Sequence, residues 1–209
     1  VGRDVTLDEL RAQGYKAFYI AIGAQGGRMA GVPGEDAEGV ISAVEMLRAI
    51  GDDHYPDFTG MDIVVVGGGN VAMDVARSAI RCHAKSVKVA YRRRKQDMTA
   101  LAEEVEGAIA DGVEIVELNA PVRIEKDAEN RCTGLIVKPQ IPGAVKGGRP
   151  SPKNSTKDEV LLPADRVLVA IGQGIESGKF GEYGTPVQQG RISAFDTSKT
   201  ADNEDNLAG

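Results

Sequence analysis

The stretch IVVVGGGNVAMDVAR, residues 63–77, places three consecutive glycines between an apolar β-branched run and a segment with helical spacing. Gly67, Gly69 and Ala72 fit the GxGxxA fingerprint of a nucleotide-binding βαβ unit. The first glycine allows a tight turn, the second lets a diphosphate approach the backbone, and the small third residue lets the helix pack on the strand. The N–H groups that open the helix would face the phosphates. We predict a dinucleotide-binding loop, with a packing turn that holds no ligand as the alternative.

Strand-like and helix-like segments alternate around this loop. Such alternation predicts βαβ units and a parallel sheet, and the shorter apolar runs downstream predict strands separated by turns. We assign the chain to the α/β class, as a Rossmann-type parallel sheet with an added antiparallel β-meander. The predicted strands are 62–66, 86–91, 113–118, 121–126, 132–138, 159–163 and 166–172, and the predicted helices are 7–13, 41–50, about 70–82 and about 99–110.

Three other segments carry predictions that depend on their surroundings. Residues 16–23, KAFYIAIG, form a continuous β-rich run that ends in glycine, which predicts a buried strand. Residues 27–40 are rich in glycine and acidic residues, which predicts a linker. Residues 139–157 are rich in Pro, Gly and Lys and long for a loop, so we expect them to be mobile or draped on the surface.

The end of the strand that follows the glycine loop decides which nucleotide fits. An NAD site needs a carboxylate there for the ribose 2′-hydroxyl, whereas an NADP site needs cations for the 2′-phosphate. This chain has four consecutive cations, Arg92 to Lys95, and no acidic residue before Asp97. Guanidinium groups bind phosphate through paired hydrogen bonds, so the run favours NADP over NAD. A solvated basic surface loop is the alternative.

The composition argues against several function classes. Lys plus Arg number 25 and Asp plus Glu number 31, and a net charge of −6 argues against a nucleic-acid partner. No segment approaches about 18 continuous apolar residues, so we expect no membrane span. Cys82 and Cys132 lie far apart without CxxC spacing, which argues against a metal site and a disulfide framework and fits a cytoplasmic location.

The sequence offers no set of side chains that would perform a reaction alone. His54 and His83 are isolated in polar surroundings. Asp74 lies one turn into an otherwise apolar helix, where it would bond to nearby backbone or lie near the cofactor, and the sequence leaves that choice open. We therefore predict no catalytic residue within this chain.

Four segments carry a resemblance to a known family: VVVGGGNVAMDVARSAIR, VAYRRRKQDMTA, EEVEGAIADGVEI and ADRVLVAIGQ. In this order they resemble the NADPH-binding central domain of glutamate synthase small (beta) subunit-like FAD-dependent pyridine nucleotide oxidoreductases. The resemblance implies that NADPH passes a hydride to the flavin N5, and that FAD passes electrons on, often to iron–sulfur centres. By motif, the implied pyrophosphate residues are Gly67, Gly68, Gly69, Asn70 and Val71, the implied 2′-phosphate residues are Arg92 and Arg93, and Gly172 would lie beside the nicotinamide.

The same resemblance implies a domain organisation. Residues 1–57 would be a remnant of an FAD domain and a crossing linker, 58–174 the NADPH-binding domain, and 175–209 a truncated return segment toward the FAD domain. The implied partners are the FAD domain of the same parent chain and an iron–sulfur or large-subunit electron acceptor, whose identity stays open. We expect the chain alone to be inactive. We also expect 16–23 either to fold against the NADPH domain or to pair with a second copy, giving a homodimer.

Two other readings stay open at this stage. One is a non-enzymatic Rossmann module that senses a nucleotide and couples its binding to assembly. The other is a complete NADP-dependent dehydrogenase, for which the sequence offers no proton donor in the right place.

Overall fold

The computed structural model describes residues 2, 4–188 and 190–192. The chain divides into a larger compact unit, Gly27–Gly172, and a smaller one drawn from Val1–Gly26 and Gln173–Gly209. The assignment of 1–57, 58–174 and 175–209 to FAD and NADPH domains stays a prediction, since a division into two compact units does not show which cofactor each unit binds.

Five helices and thirteen strands occur among the described residues, and several of the strands are only two residues long. The helices are α1 (Leu7–Ala12), α2 (Ala43–Gly51), α3 (Asn70–Arg81), α4 (Ala102–Ala110) and α5 (Gly178–Glu182). The strands are β1 (Gly26–Gly27), β2 (Val40–Ser42), β3 (Asp62–Val66), β4 (Ser86–Tyr91), β5 (Glu114–Glu117), β6 (Asn119–Lys126), β7 (Cys132–Lys146), β8 (Arg149–Asn154), β9 (Val160–Pro163), β10 (Arg166–Val169), β11 (Gln173–Gly174), β12 (Val187–Gln188) and β13 (Arg191–Ile192).

The larger unit is built on a five-stranded parallel sheet in the order β2-β10-β3-β4-β5. β10 comes late in the chain but lies between β2 and β3, with Val167 opposite Val40 on one side and Val64 on the other. The strands β3, β4 and β10 are almost entirely buried, as expected for a parallel sheet covered on both faces.

Two different layers cover the faces of this sheet. Ile63 and Val65 pack with α2, α3 and α4 in one buried cluster. Val64 and Val66 point the other way and pack with Leu135 and other residues of the meander in a second cluster. Because successive side chains of a strand alternate between faces, a strand this apolar needs a partner layer on each side. The predicted α/β class, parallel sheet and added meander are confirmed.

The meander is centred on β7, which pairs antiparallel with β6, β9 and β8. From Gln140 to Lys146, β7 forms a hairpin with β8, with a register shift between Pro142 and Val145. Gly147 and Gly148 make the two-residue turn with φ of 57° and 78°, the positive values that a type I′ hairpin turn requires. The prediction of a long loop over 139–157 is therefore wrong, because these residues pair with each other across a glycine turn.

The predicted buried strand over 16–23 is also wrong. These residues form no continuous strand, and Tyr19 has 84% of its surface exposed. Only Tyr19 is a bridge residue, and no strand within the described residues forms a ladder with this segment. A run of β-forming residues becomes a strand only where a neighbouring strand completes its ladder of hydrogen bonds. The homodimer through this segment stays a prediction.

Candidate nucleotide-binding cleft

A cavity of about 560 Å³ opens in the larger unit beyond the carboxyl ends of β3, β4 and β10. This is the position at which open α/β sheets bind ligands, and the volume lies in the usual range for small-molecule sites. All eight residues that the sequence singled out line this one cavity: Gly67, Gly68, Gly69, Asn70, Val71, Arg92, Arg93 and Gly172. The structure thus brings the glycine loop, the arginine run and the end of β10 together.

The glycine loop turns sharply out of β3. Gly67 has a φ of 148°, and a Cβ there would overlap the carbonyl oxygen of Ala170 on the neighbouring chain segment. Gly69 is the N-cap of α3, and a Cβ there would meet only Thr99 Oγ1, at 3.5 Å. No acceptor is found within the described residues for the N–H groups of Gly69, Asn70 and Val71. The opening of α3 therefore presents unpaired donors in a cradle that glycine leaves open, which suits a phosphate.

A neighbouring segment holds the loop in place. Thr99 N and Ala100 N both donate to Gly68 O, at 3.0 and 3.1 Å. The Tyr91 ring packs over Gly68 so closely that a Cβ on Gly68 would overlap it, and Tyr91 Oη donates to Asp97 O at 2.8 Å. Thr99 and Tyr91 also line the cleft, and neither was among the predicted site residues.

Asn70 has a role that its motif position does not reveal. Its side-chain oxygen Oδ1 accepts a hydrogen bond from Leu101 N at 2.9 Å. Leu101 is the N-cap residue of α4, so the side chain ties the first residue of α3 to the start of α4. The Asn70 oxygen is thus occupied by the protein, and the group that remains suited to a phosphate is the backbone N–H.

The four consecutive cations after β4 separate into different roles. Arg92 and Arg93 line the cleft, whereas Arg94 and Lys95 do not. Arg94 forms a bidentate pair with the buried carboxylate of Asp97, at 2.7 and 2.9 Å, and this hydrogen bonding holds the pKa of Asp97 below its ordinary value. Only the first two cations of the run are therefore presented to a ligand.

Arg93 is oriented by a strand that lies far away in the sequence. Its Nε donates to Pro150 O at 3.0 Å, and Arg149, the residue before Pro150, also lines the cleft. Three arginines thus contribute to the lining, and no acidic residue does. Arg149 was not among the predicted site residues. The signal for its hairpin is the Gly147-Gly148 pair, and Pro150 and Pro152 after it allow only an edge strand, which β8 is.

The opposite part of the lining comes from β10 and from the segment before β2. Gly172 O accepts from Arg28 N at 3.1 Å, and Ile171 and Gly172 line the cleft together with Ala30. The carboxylate of Glu35 accepts from Ala30 N at 2.6 Å and from Gly31 N at 2.8 Å. The predicted linker is therefore a wall of the cavity in this region, held by the Glu35 carboxylate and by backbone hydrogen bonds such as that from Arg28 N to Gly172 O.

Other candidate groups lie outside the cleft lining. Burial raises the pKa of Asp74, and the nearby charge of Glu104 adds to the rise. Cys82 and Cys132 are both buried free thiols. Among the described residues, no group of three or more His, Cys, Asp and Glu side chains is suited to a metal ion. Within the same part of the chain, none of the helices has the length and apolar character needed to cross a membrane.

The chain that forms this cleft is similar to a known protein family. Residues 2–205 match the protein family described as pyridine nucleotide-disulphide oxidoreductase. The chain belongs to this family. Its family name includes a disulphide, yet Cys82 and Cys132 are separate buried thiols, so membership transfers no dithiol chemistry to this chain.

Individual relatives confirm the predicted resemblance. The chain is 39% identical over 178 residues to the NADP(+)-dependent formate dehydrogenase subunit beta of Moorella thermoacetica, covering 84% of this chain and 25% of that relative. It is 33% identical over 183 residues to the glutamate synthase [NADPH] small chain of Escherichia coli, covering 82% of this chain and 39% of the relative. The chain therefore spans well under half the length of these curated relatives.

Solved structures share the fold. FprA of Mycobacterium tuberculosis in complex with NADPH superposes with a TM-score of 0.69 at 23% identity, covering 92% of this chain and 58% of that one. Thioredoxin reductase of T. acidophilum superposes with a TM-score of 0.63 at 18% identity, covering 88% and 53%. At these identities the likeness shows a common Rossmann-type architecture.

Proposed function

We propose that this chain binds NADPH and positions its nicotinamide for hydride transfer to FAD, as part of a glutamate synthase small-subunit-like flavoprotein. The observation that carries the proposal is the meeting, in one cleft, of the α3 N-terminus and three arginines with no acidic residue in the lining. The loop N–H groups would hold the pyrophosphate, and Arg92 and Arg93 would bind the 2′-phosphate. The wall at Ile171 and Gly172 would then take the nicotinamide.

FAD, when bound, accepts the hydride and passes electrons on one at a time. The task of this chain's residues is to hold NADPH at a fixed distance and angle, because reacting atoms must approach in a productive geometry. The relatives include subunits of larger enzymes, such as the NADPH-Fe(3+) oxidoreductase subunit beta of Geobacter sulfurreducens. We infer that the FAD site is completed by polypeptide outside this chain and that an iron–sulfur or large-subunit partner accepts the electrons.

The proposal is tested first by calorimetric titration of the 209-residue chain with NADPH and with NADH. NADPH should bind at least about tenfold more tightly, since one charge-assisted contact contributes about 1.5–3 kcal/mol. Equal affinity for the two nucleotides would contradict the assignment of the arginines to a 2′-phosphate.

The second part of the test concerns the flavin. Expressed with the coding sequence that flanks it in its genome, the protein should purify yellow and reduce an artificial dye with NADPH. The 209-residue chain alone should be colourless and should not oxidise NADPH. A flanked protein that is colourless, and that changes its assembly when NADPH binds, would support the nucleotide-sensing module instead.

Replacing Gly69 by alanine should separate binding from folding. The φ of −101° at Gly69 suits any residue, and the open space around its Cβ position admits a methyl group. We expect a loss of about 1 kcal/mol or less in the free energy of unfolding, the scale of an N-cap change. The added methyl group would stand between the phosphate and the N–H groups, so NADPH and NADH affinity should both fall at least about tenfold. Urea unfolding and calorimetry on one preparation measure both effects. Unchanged nucleotide affinity would mean that the phosphate does not bind at this loop.

A further inference from the structure

We propose that Arg149, on the β7–β8 hairpin, is a specificity-determining residue. It would complete the 2′-phosphate site together with Arg92 and Arg93. The inference rests on the proposed function and deepens it. It assigns to the meander, which the parallel sheet does not need for pyrophosphate binding, a direct part in choosing the nucleotide.

The hairpin geometry fixes where Arg149 lies. The Gly147-Gly148 turn makes Arg149 the first residue of β8, paired with Lys146. The next residue, Pro150, accepts the hydrogen bond from Arg93 Nε at 3.0 Å. Adjacent Cα atoms are about 3.8 Å apart, so the hairpin holds the Arg149 backbone close to the Arg93 guanidinium. Both side chains line the cavity.

Asp97 pairs with Arg94, and the nearby charge of Arg93 also lowers the pKa of Asp97, but Asp97 does not line the cleft. Within the described residues, neither Arg93 nor Arg149 forms an ion pair with a carboxylate. Arg149 is partly buried, which reduces screening by water. Three like charges facing one cavity repel each other, and a phosphomonoester dianion is the ligand whose charge and acceptor geometry relieve that repulsion. A ribose 2′-hydroxyl would not do so, since it carries no charge.

The Arg93–Pro150 hydrogen bond adds a positioning effect. It uses Nε and leaves the two terminal nitrogens of Arg93 for the ligand. A guanidinium held at one edge loses less rotamer freedom when it binds phosphate, so the hairpin both supplies one arginine and orients another.

The test compares Arg149→Ala with Lys153→Ala in the 209-residue chain, using adenosine 2′,5′-bisphosphate and adenosine 5′-diphosphate as probes beside NADPH and NADH. Lys153 is a matched control, since it is an exposed cation on the same strand that does not line the cleft. Arg149→Ala should weaken NADPH and the 2′,5′-bisphosphate about tenfold or more and change NADH and the 5′-diphosphate less than about twofold. Lys153→Ala should change the affinities for all four probes less than about twofold. Arg149→Lys should bind NADPH with an affinity between those of wild type and Arg149→Ala, because it keeps the charge but loses the paired donors of the planar guanidinium.

Each other outcome has a definite meaning. NADPH affinity unchanged in Arg149→Ala, with wild type still preferring NADPH, overturns the role of Arg149 and leaves the proposed function intact. An equal fall for NADH and the 5′-diphosphate overturns it too, since Arg149 would then act on the pyrophosphate. A wild-type chain without preference for NADPH contradicts the proposed function itself. Circular dichroism of each variant verifies that the hairpin change has not unfolded the chain.

Discussion

Replacing Arg93 by alanine is expected to weaken NADPH binding by about tenfold to a hundredfold while leaving NADH affinity nearly unchanged. Arg93 lines the cleft and its Nε is already held by Pro150 O, so the guanidinium is positioned before the ligand arrives. Its loss would remove a charge-assisted contact made only to the 2′-phosphate. The ratio of NADPH affinity to NADH affinity, measured by calorimetry, should fall toward one.

A control for this prediction lies on α3. Arg81 is an exposed arginine that pairs with Asp111 at 3.3 Å and does not line the cleft. Arg81→Ala removes the same charge from the same domain and should leave the NADPH to NADH ratio within about twofold of wild type. A similar fall in both variants would mean that the long-range charge of the domain, rather than a contact of Arg93, selects the nucleotide.

Gly67→Ala should lower the free energy of unfolding by about 2–4 kcal/mol, a large effect for one methyl group. Two costs add. The φ of 148° lies in a region that residues with a Cβ rarely adopt, and the new Cβ would also overlap Ala170 O. Ala170 cannot retreat easily, because its N–H donates to Val66 O at 2.8 Å between the two central strands. Urea unfolding followed by circular dichroism measures the loss.

Gly60→Ala separates the two costs. Gly60 has a φ of 77° but no atom within 4 Å of a Cβ position, so alanine there should meet conformational strain alone, about 1–2 kcal/mol. Equal destabilisation by Gly60→Ala and Gly67→Ala would mean that the approach of β10 to the glycine loop adds nothing. Together with Gly69→Ala, these variants test whether Gly67 is needed for the fold and Gly69 for ligand binding.

The run of four cations, Arg92 to Lys95, shows how contacts distinguish residues that look alike in the sequence. Arg92 and Arg93 were selected through the family resemblance, and from charge alone all four cations were equivalent. In the structure Asp97, three residues beyond Arg94, binds Arg94 in two hydrogen bonds and withdraws it from the cleft. The spacing of an acid three residues after a basic residue is visible in sequence, but which arginine it captures depends on the turn between them.

The elements that the sequence determined by itself are those whose signals are local. The segment from β3 to β5 was predicted closely because strand and helix periods, and the glycines that separate them, are encoded within a few consecutive residues. The glycine loop could be placed for the same reason. Its chemistry is a turn followed by N–H groups without an acceptor among the described residues, and it follows from the local backbone, although Tyr91, Thr99 and Ala170 hold the loop in place.

The tertiary structure decided everything that depends on a distant partner. Residues 16–23 and 139–157 have the compositions of a strand and a loop, yet the first lacks a partner strand among the described residues and the second gains one through the Gly147-Gly148 turn. The same pairing carries Arg149 to Arg93, across more than fifty residues of sequence. Hydrogen-bond ladders and charge clusters are relations between segments, so their free energy depends on which segments meet, and composition or period within one segment cannot specify that.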